Sequence, residues 1–220
     1  YTLLMGAENP QMYKVLGLAD IDYSDMIPVN VLARGIPMLV AQNDAPFNTM
    51  QEMIDYIKAN PGSVKVGSTG QGGLASIVMA MIESEVKLDV TTIPYNGDGP
   101  ALTALQGGAI DVMPAVLGAA VQHIKAGRMK AIALVDNQPS PVLPEAGLIT
   151  EALPGLNKYL PYGPFFGVFV KQGTPDDVVA KLQAAAEAAV ASDTFKEAAG
   201  NIGFSTAYLN AADFGALIEK

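Results

Sequence analysis

Residues 66–76 read Val-Gly-Ser-Thr-Gly-Gln-Gly-Gly-Leu-Ala-Ser, a run of glycines and hydroxyls between an apolar stretch and a helix-like one. A loop that opens a helix in this way is suited to negative charge. The first turn of a helix has N–H groups without intrahelical partners and a partial positive charge. Ser68 and Thr69 add hydroxyl donors, and Gly70, Gly72 and Gly73 let the backbone approach a ligand closely. The occupant could be a phosphate, a dinucleotide or a carboxylate, or the loop could be a plain capped turn. A triphosphate loop requires G-x-x-x-x-G-K-[ST], and no lysine is present. Gly70 to Ala75 fits the dinucleotide pattern G-x-G-x-x-A, which also wants an acid near the end of the next strand. Tyr95 stands at that end, and Asp89 lies at the strand's start. Gly67-Ser68-Thr69-Gly70 does not match the nucleophile elbow G-x-S-x-G. A small anion suits the loop best; the dinucleotide and plain-turn readings stay open.

A second loop has the same character. Residues 93–101, Ile-Pro-Tyr-Asn-Gly-Asp-Gly-Pro-Ala, again lead from an apolar strand into a helix start, with Pro100 in the first turn. Two adjacent polar loops on one sheet edge make one anion pocket, which Tyr95 and Asn96 could line. Tyr95 fits equally well as a packed strand-end aromatic. Asp111 reads as a strand-edge carboxylate accepting backbone bonds, with ligand contact as the alternative. The single histidine, His123, precedes Lys125 near a helix end and reads as a surface residue rather than a catalytic base. The ten methionines fall mostly at core positions and read as packing.

The elements that position these loops follow from periodicity. Residues 63–68, 88–95, 109–115 and 129–135 read as strands, alternating with helices over 72–85, 99–108 and 120–127. This βαβαβαβ alternation predicts a parallel sheet with helices on its faces. Before it, 26–42 reads as extended chain broken at Gly35 and Pro37. Residues 50–60 have apolar side chains at 50, 53, 54 and 57, one helix face, with Asn48 or Thr49 as cap. After it, 163–170 reads as a strand, and Thr174 as N-cap with Pro175 at N1 opens a helix over 174–192. Two short helices, near 193–200 and 210–219, are expected to close the chain.

Composition narrows the partners. Half of the 220 residues are hydrophobic and 16% are charged, which suits a packed globular core. The formal net charge is −9, with no basic stripe, so nucleic acid is a poor partner. There is no cysteine, and one histidine makes a histidine-based metal site improbable. No apolar run reaches the roughly 18 residues of a membrane span. The chain opens at Tyr1 within what reads as a buried strand, so further N-terminal sequence is expected upstream.

The runs from Val66 to Gly73, Thr92 to Met113 and His123 to Leu134 together resemble the Bug-type solute receptors, the substrate-binding proteins of tripartite tricarboxylate transporters. That family shows a strand ending in a Ser/Thr-Gly-rich loop, then P-Y-x-G-x-x-P-A, G-G-x-x-D and K-x-G-x-x-x-A-[IL]-A. Here these are the loop at 68–73, Pro94 to Ala101, Gly107 to Asp111 and Lys125 to Ala133, in that order. The resemblance is dense from about Pro46 to Val135 and looser beyond. It implies an α/β, two-lobed periplasmic-binding-protein (type II) fold, with the N-terminal part of the first lobe missing. Residues 1–41 with 165–220 would be lobe one and 42–164 lobe two, hinged at 36–42 and 163–170.

The same resemblance implies a periplasmic, monomeric receptor without catalysis, metal or cofactor. It would capture a di- or tricarboxylate, amino acid or aromatic acid between lobes and deliver it to membrane permease subunits. Ser68, Thr69, Gly70, Gly72 and Gly73 would form one cradle, lined further by Tyr95, Asn96, Gly97 and Gly99. Ala7, Glu8 and Asn9 would face them from the other lobe, and Tyr162 and Phe165 would stand near the returning hinge. Three departures stand out: the family's opening βα units are absent, residues 136–147 replace a usual arginine, and Glu8 is an acid where a carboxylate is awaited. Glu8 would suit a ligand that also carries an amine. The rival readings are an NAD-dependent oxidoreductase using the Gly70–Ala75 loop and the ligand-sensing domain of a regulator.

Overall fold

A computed structural model of the chain describes residues 2–6, 14, 17, 20–69, 73–201 and 204–219. It divides into two compact units, one from 1–35 with 164–220 and one from 36–163.

The second unit is a three-layer α/β sandwich. Its strands are β3 (Pro37–Gln42), β4 (Lys65–Ser68), β5 (Thr91–Pro94), β6 (Val112–Val116) and β7 (Met129–Leu134), in spatial order β5-β4-β6-β3-β7. β4 runs parallel to β5 and β6, as the alternation predicts. β3, however, lies antiparallel between β6 and β7. The sheet is therefore mixed rather than wholly parallel. The central place of β3 follows from its own residues: Pro37 to Ala41 are all buried, and a strand apolar on both faces belongs in the middle of a covered sheet. For the same reason β3 belongs to the second unit, and the division falls after Gly35 rather than after residue 41.

Helices cover both faces of this sheet. α1 (Met50–Ala59) and α2 (Leu74–Glu85) pack with Leu39, Ala41, Val66 and Val112 on one side. α3 (Asp98–Gln106) and α4 (Leu117–Lys125) pack with Met38, Val40, Met113 and Ala115 on the other. α1 buries Met50, Met53, Ile54 and Ile57, the spacing of one helix face. Thr49 caps it, its hydroxyl accepting from Glu52 N–H at 3.2 Å. The region after β7 holds a short helix, α5 (Ile149–Ala152), and a 3-10 turn at Pro154–Tyr159.

The first unit is an antiparallel sheet in the order β1-β8-β2-β9, with β1 Leu3–Gly6, β2 Met26–Gly35, β8 Phe165–Lys171 and β9 Phe204–Leu209. One face carries the aromatic cluster Tyr23, Phe165, Phe169 and Phe214, the last from α8 (Ala211–Glu219). The Phe165 and Phe214 rings meet edge to face at 5.2 Å. The other face packs Val29 and Val170 on Val179 of α6 (Asp176–Ala191). α7 (Asp193–Asn201) follows.

Both closing helices appear where they are expected, with β9 between them in a stretch for which no element is predicted. One expectation fails here. Thr174 does not cap α6: its hydroxyl donates to the Lys171 carbonyl at 2.7 Å. The cap is Pro175, whose carbonyl accepts from Val178 and Val179 N–H at 3.0 and 3.1 Å.

Candidate functional site

The strands β4, β5, β6 and β7 of the second unit all end at one edge of their sheet, the edge at which β3 begins. At that edge β4 passes into α2 through Ser68 and Thr69, and β5 passes into α3 through Tyr95, Asn96 and Gly97. Parallel pairing sets Ser68 beside Pro94. One residue further, Tyr95 N–H donates to the Ser68 carbonyl at 2.8 Å and ties the two loops together. Both helices then begin on glycine. Gly73 is the N-cap of α2 and Gly97 that of α3, and neither start has a side-chain cap. The leading amides of both helices are left to the edge itself. Pro100 contributes no N–H, so α3 offers the amides of Asp98 and Gly99 only, before Ala101 closes on the Gly97 carbonyl at 3.4 Å.

Two glycines are required by this geometry. A side chain at Gly67 would run into Ile110 and Met113 beneath β4, which lets the sheet carry Ser68 and Thr69 at its edge. Gly97 has φ +104°, a conformation that favours glycine, and it turns the chain from β5 into α3.

Ser68, Thr69 and Gly73 are therefore brought to the same edge as Tyr95, Asn96, Gly97 and Gly99. Ser68 and Thr69 are half-buried, whereas Asn96, Gly97 and Gly99 are exposed. Tyr95 is half-buried, with part of its ring packed against the core beneath α3 and α4. Gly70, Gly72, Ala7, Glu8 and Asn9 lie outside the described residues. Tyr162 packs partly against the α1–α2 side of the same unit. Phe165 belongs to the first unit and is 5% exposed, its ring used between Tyr23 and Phe214 in the core. At that burial little of the ring reaches the surface of the first unit.

Asp111 sits at the other edge, where its carboxylate accepts from Lys65 N–H at 2.7 Å and the Gln42 amide at 2.8 Å. Its role is to pin β3, β4 and β6 in register. A cavity of about 600 Å³ also opens at that other edge, lined in part by Asn48, Thr49, Lys130 and Glu145. The Lys130 ammonium is engaged there with the Ala45 carbonyl at 2.7 Å and Asn48 Oδ1 at 2.9 Å. Among the described residues no group of three or more histidines, cysteines or carboxylates is placed to hold a metal. No described helix is long and apolar enough to cross a membrane.

Two carboxylates at the loop edge escaped the sequence reading. Asp136, 2% exposed, follows the end of β7 and accepts from Asn137 N–H at 2.7 Å. Asp98 is the first residue of α3, half-buried, and lies against Thr69. Burial pushes its carboxyl above the ordinary aspartate range, and hydrogen bonding from the Thr69 hydroxyl partly opposes this. An acid in the first turn of a helix is a common capping choice, which hides its place in the site.

Residues 1–220 match the family model described as "Tripartite tricarboxylate transporter family receptor". A UPF0065 protein of Bordetella pertussis is 32% identical over 208 residues, 92% of this chain and 62% of that protein. The chain thus spans about three fifths of that relative's length. Among solved structures, MatC from Rhodopseudomonas palustris, with bound malate, is 26% identical with a TM-score of 0.79, covering 99% of this chain and 75% of that one. R. palustris Rpa4515, with adipate, is 23% identical with a TM-score of 0.84, covering 100% and 73%. The shared fold is the two-lobed fold of periplasmic binding proteins, over the part of it that this chain covers.

Proposed function

The chain belongs to the tripartite tricarboxylate transporter family of receptors, and on that premise we propose that it is an extracytoplasmic receptor for a small carboxylate-bearing solute. The solute's carboxylate sits at the β4–α2 loop, on Ser68 and the uncapped amides that begin α2. Tyr95 and Asn96 flank it. The two units act as lobes that close on the solute, and the closed form delivers it to membrane permease subunits of a tripartite tricarboxylate-type transporter. No bond is made or broken.

The observation that carries this reading is the tie between the loops. The bond from Tyr95 N–H to the Ser68 carbonyl, 2.8 Å, holds two helix starts without side-chain caps on one sheet edge. Malate in MatC and adipate in Rpa4515 support a carboxylate as the class of solute.

The test is a thermal-shift screen of the full-length protein with dicarboxylates, citrate, amino acids, aromatic acids and NAD. A ligand at about 100 times its Kd adds roughly 2.7 kcal/mol to stability, a readable rise in Tm. The expected result is a shift with one carboxylate class, lost in Ser68→Ala plus Thr69→Ala. A shift with NAD alone would overturn the receptor reading.

A further inference from the structure

The sheet of the second unit has two outermost strands, and they are finished differently. β5 is four residues long and ends in Pro94, which has no N–H to offer a further strand. β7 is six residues long, Met-Lys-Ala-Ile-Ala-Leu, and pairs with β3 alone. Beyond that pairing, its one backbone bond among the described residues runs from Leu134 N–H to the Gly147 carbonyl at 2.8 Å, beside a parallel bridge between Leu134 and Leu148. Residues 145–148 thus meet β7 only at its last residue. The cavity of about 600 Å³ lies where they part: 129–132 line one side of it and 145–148 another. Consecutive strand residues point to opposite faces, so a space that touches four in a row runs along the strand's open side. An extended chain takes up about 160 Å³ per residue at ordinary strand and sheet spacings, which gives the slot room for about four residues.

Open strands are commonly protected by a charged side chain, lysine above all. β7 carries Lys130, but its ammonium is held by the Ala45 carbonyl at 2.7 Å and Asn48 Oδ1 at 2.9 Å. Two exposed carboxylates, Glu145 and Glu151, also line the slot. Glu151 accepts from Leu148 N–H at 3.2 Å, and the Glu145 carboxylate has no partner among the described residues. Neither has a cation beside it. We propose that the open side of β7 is a docking site for an extended segment of a partner protein that carries a lysine or arginine. The segment adds as a further strand along 129–132, its backbone bonded to the groups that β3 leaves free, and its basic side chain pairs with Glu145 and Glu151. The carboxylates set the charge of the partner, and the slot sets its extended form.

The experiment is a fluorescence-polarisation titration of the full-length protein at physiological salt with three labelled hexapeptides: alternating Thr-Lys, alternating Thr-Glu, and the Thr-Lys peptide N-methylated at every residue. The Thr-Lys peptide should bind about tenfold tighter than either of the others, the worth of one or two strand hydrogen bonds. Hydrogen exchange of the amides at 129–132 should slow when it is bound. Glu145→Lys with Glu151→Gln should weaken it by about fivefold, the upper range for exposed ion pairs, with the Tm of the free protein held. Equal binding of the N-methylated peptide would reduce the interaction to bulk charge attraction and overturn the proposal. So would unchanged exchange at 129–132, full binding by the double variant, or failure of the Thr-Lys peptide to bind. None of these outcomes bears on the receptor reading, whose solute loops lie elsewhere on the sheet.

Discussion

Asp98 and Asp22 are acids whose effects on stability run in opposite directions. Asp98 has its folded-state acid constant raised by burial, so the folded chain holds that proton more tightly than the unfolded chain does. As pH rises above the ordinary 3.8, the unfolded chain ionises first and stability falls, until the pH passes the raised folded-state value. Asp22 is the reverse case. The Lys14 ammonium at 2.9 Å and the bonds from Ser24 lower it from 3.8 to about 2. Its contribution is present above 3.8 and is lost as pH falls towards 2. Asp98→Asn should therefore melt higher than wild type at pH 7, with the difference shrinking as pH drops to 3.8. Asp22→Asn should melt lower at pH 7, with its deficit closing in the acid range. Melting curves from pH 2 to 7 check both, and equal slopes for the two variants would contradict the assignment. A third residue tests burial without charge. Asn30, fully buried in β2, has neither side-chain amide atom within hydrogen-bond reach of a partner among the described residues. Such groups cost about 1–3 kcal/mol each, so Asn30→Leu should raise Tm by about 2–4 °C per kcal/mol recovered. A fall in Tm would mean the amide is satisfied in solution.

At the scale of elements, the site depends on β4 carrying no side chain at position 67. Adding one methyl group there drives it into Ile110, and overpacking of this kind costs about 1–3 kcal/mol. Gly67→Ala should lower stability by that amount. It should also weaken solute binding more than an equal destabilisation elsewhere, because the displaced strand ends in Ser68 and Thr69. Gly97→Ala provides the contrast: nothing lies within 4 Å of its Cβ, so its cost, about 1 kcal/mol, is backbone strain at positive φ alone. Chemical unfolding with a binding titration on each variant separates the two effects. Much of this arrangement was readable in the sequence, because its cause is local. The apolar spacing of α1, the Thr49 cap and the strand–loop–helix alternation around Ser68 and Tyr95 are all set within a few residues. What was not readable depends on distant partners. The direction of β3 is set by β6 and β7, more than seventy residues away in register with it. β9 is six residues long and pairs with β2 across most of the chain. Its Phe-Ser-Thr-Ala-Tyr-Leu composition, rich in strand formers, was the available signal. Asp98 was hidden because an acid in the first turn of a helix is ordinary.

At the scale of the whole molecule, the two units differ in how the chain builds them. The second is one continuous segment, 36–163, and both apolar clusters flanking its sheet are drawn from within it. The first joins residues 1–35 to 164–220, and its aromatic cluster needs Tyr23 and Val31 from one part and Phe165, Phe169 and Phe214 from the other. A continuous segment with its own core can fold alone, whereas a unit made of two distant parts must wait for both. Residues 36–163, expressed alone, should therefore show α/β circular dichroism and a single cooperative melt. The proposed mechanism adds a second expectation. If the solute is held between two lobes, the isolated segment keeps the Ser68, Tyr95 and Asp98 edge but loses the opposing surface. It should bind the solute far more weakly than the full-length protein does, with the affinity lost mainly through faster release. A cooperative melt with weak binding is the expected result. A cooperative melt with full affinity would place the whole site on one sheet edge and remove any need for closure. A non-cooperative segment would mean that its clusters depend on the first unit, against their being drawn wholly from 36–163.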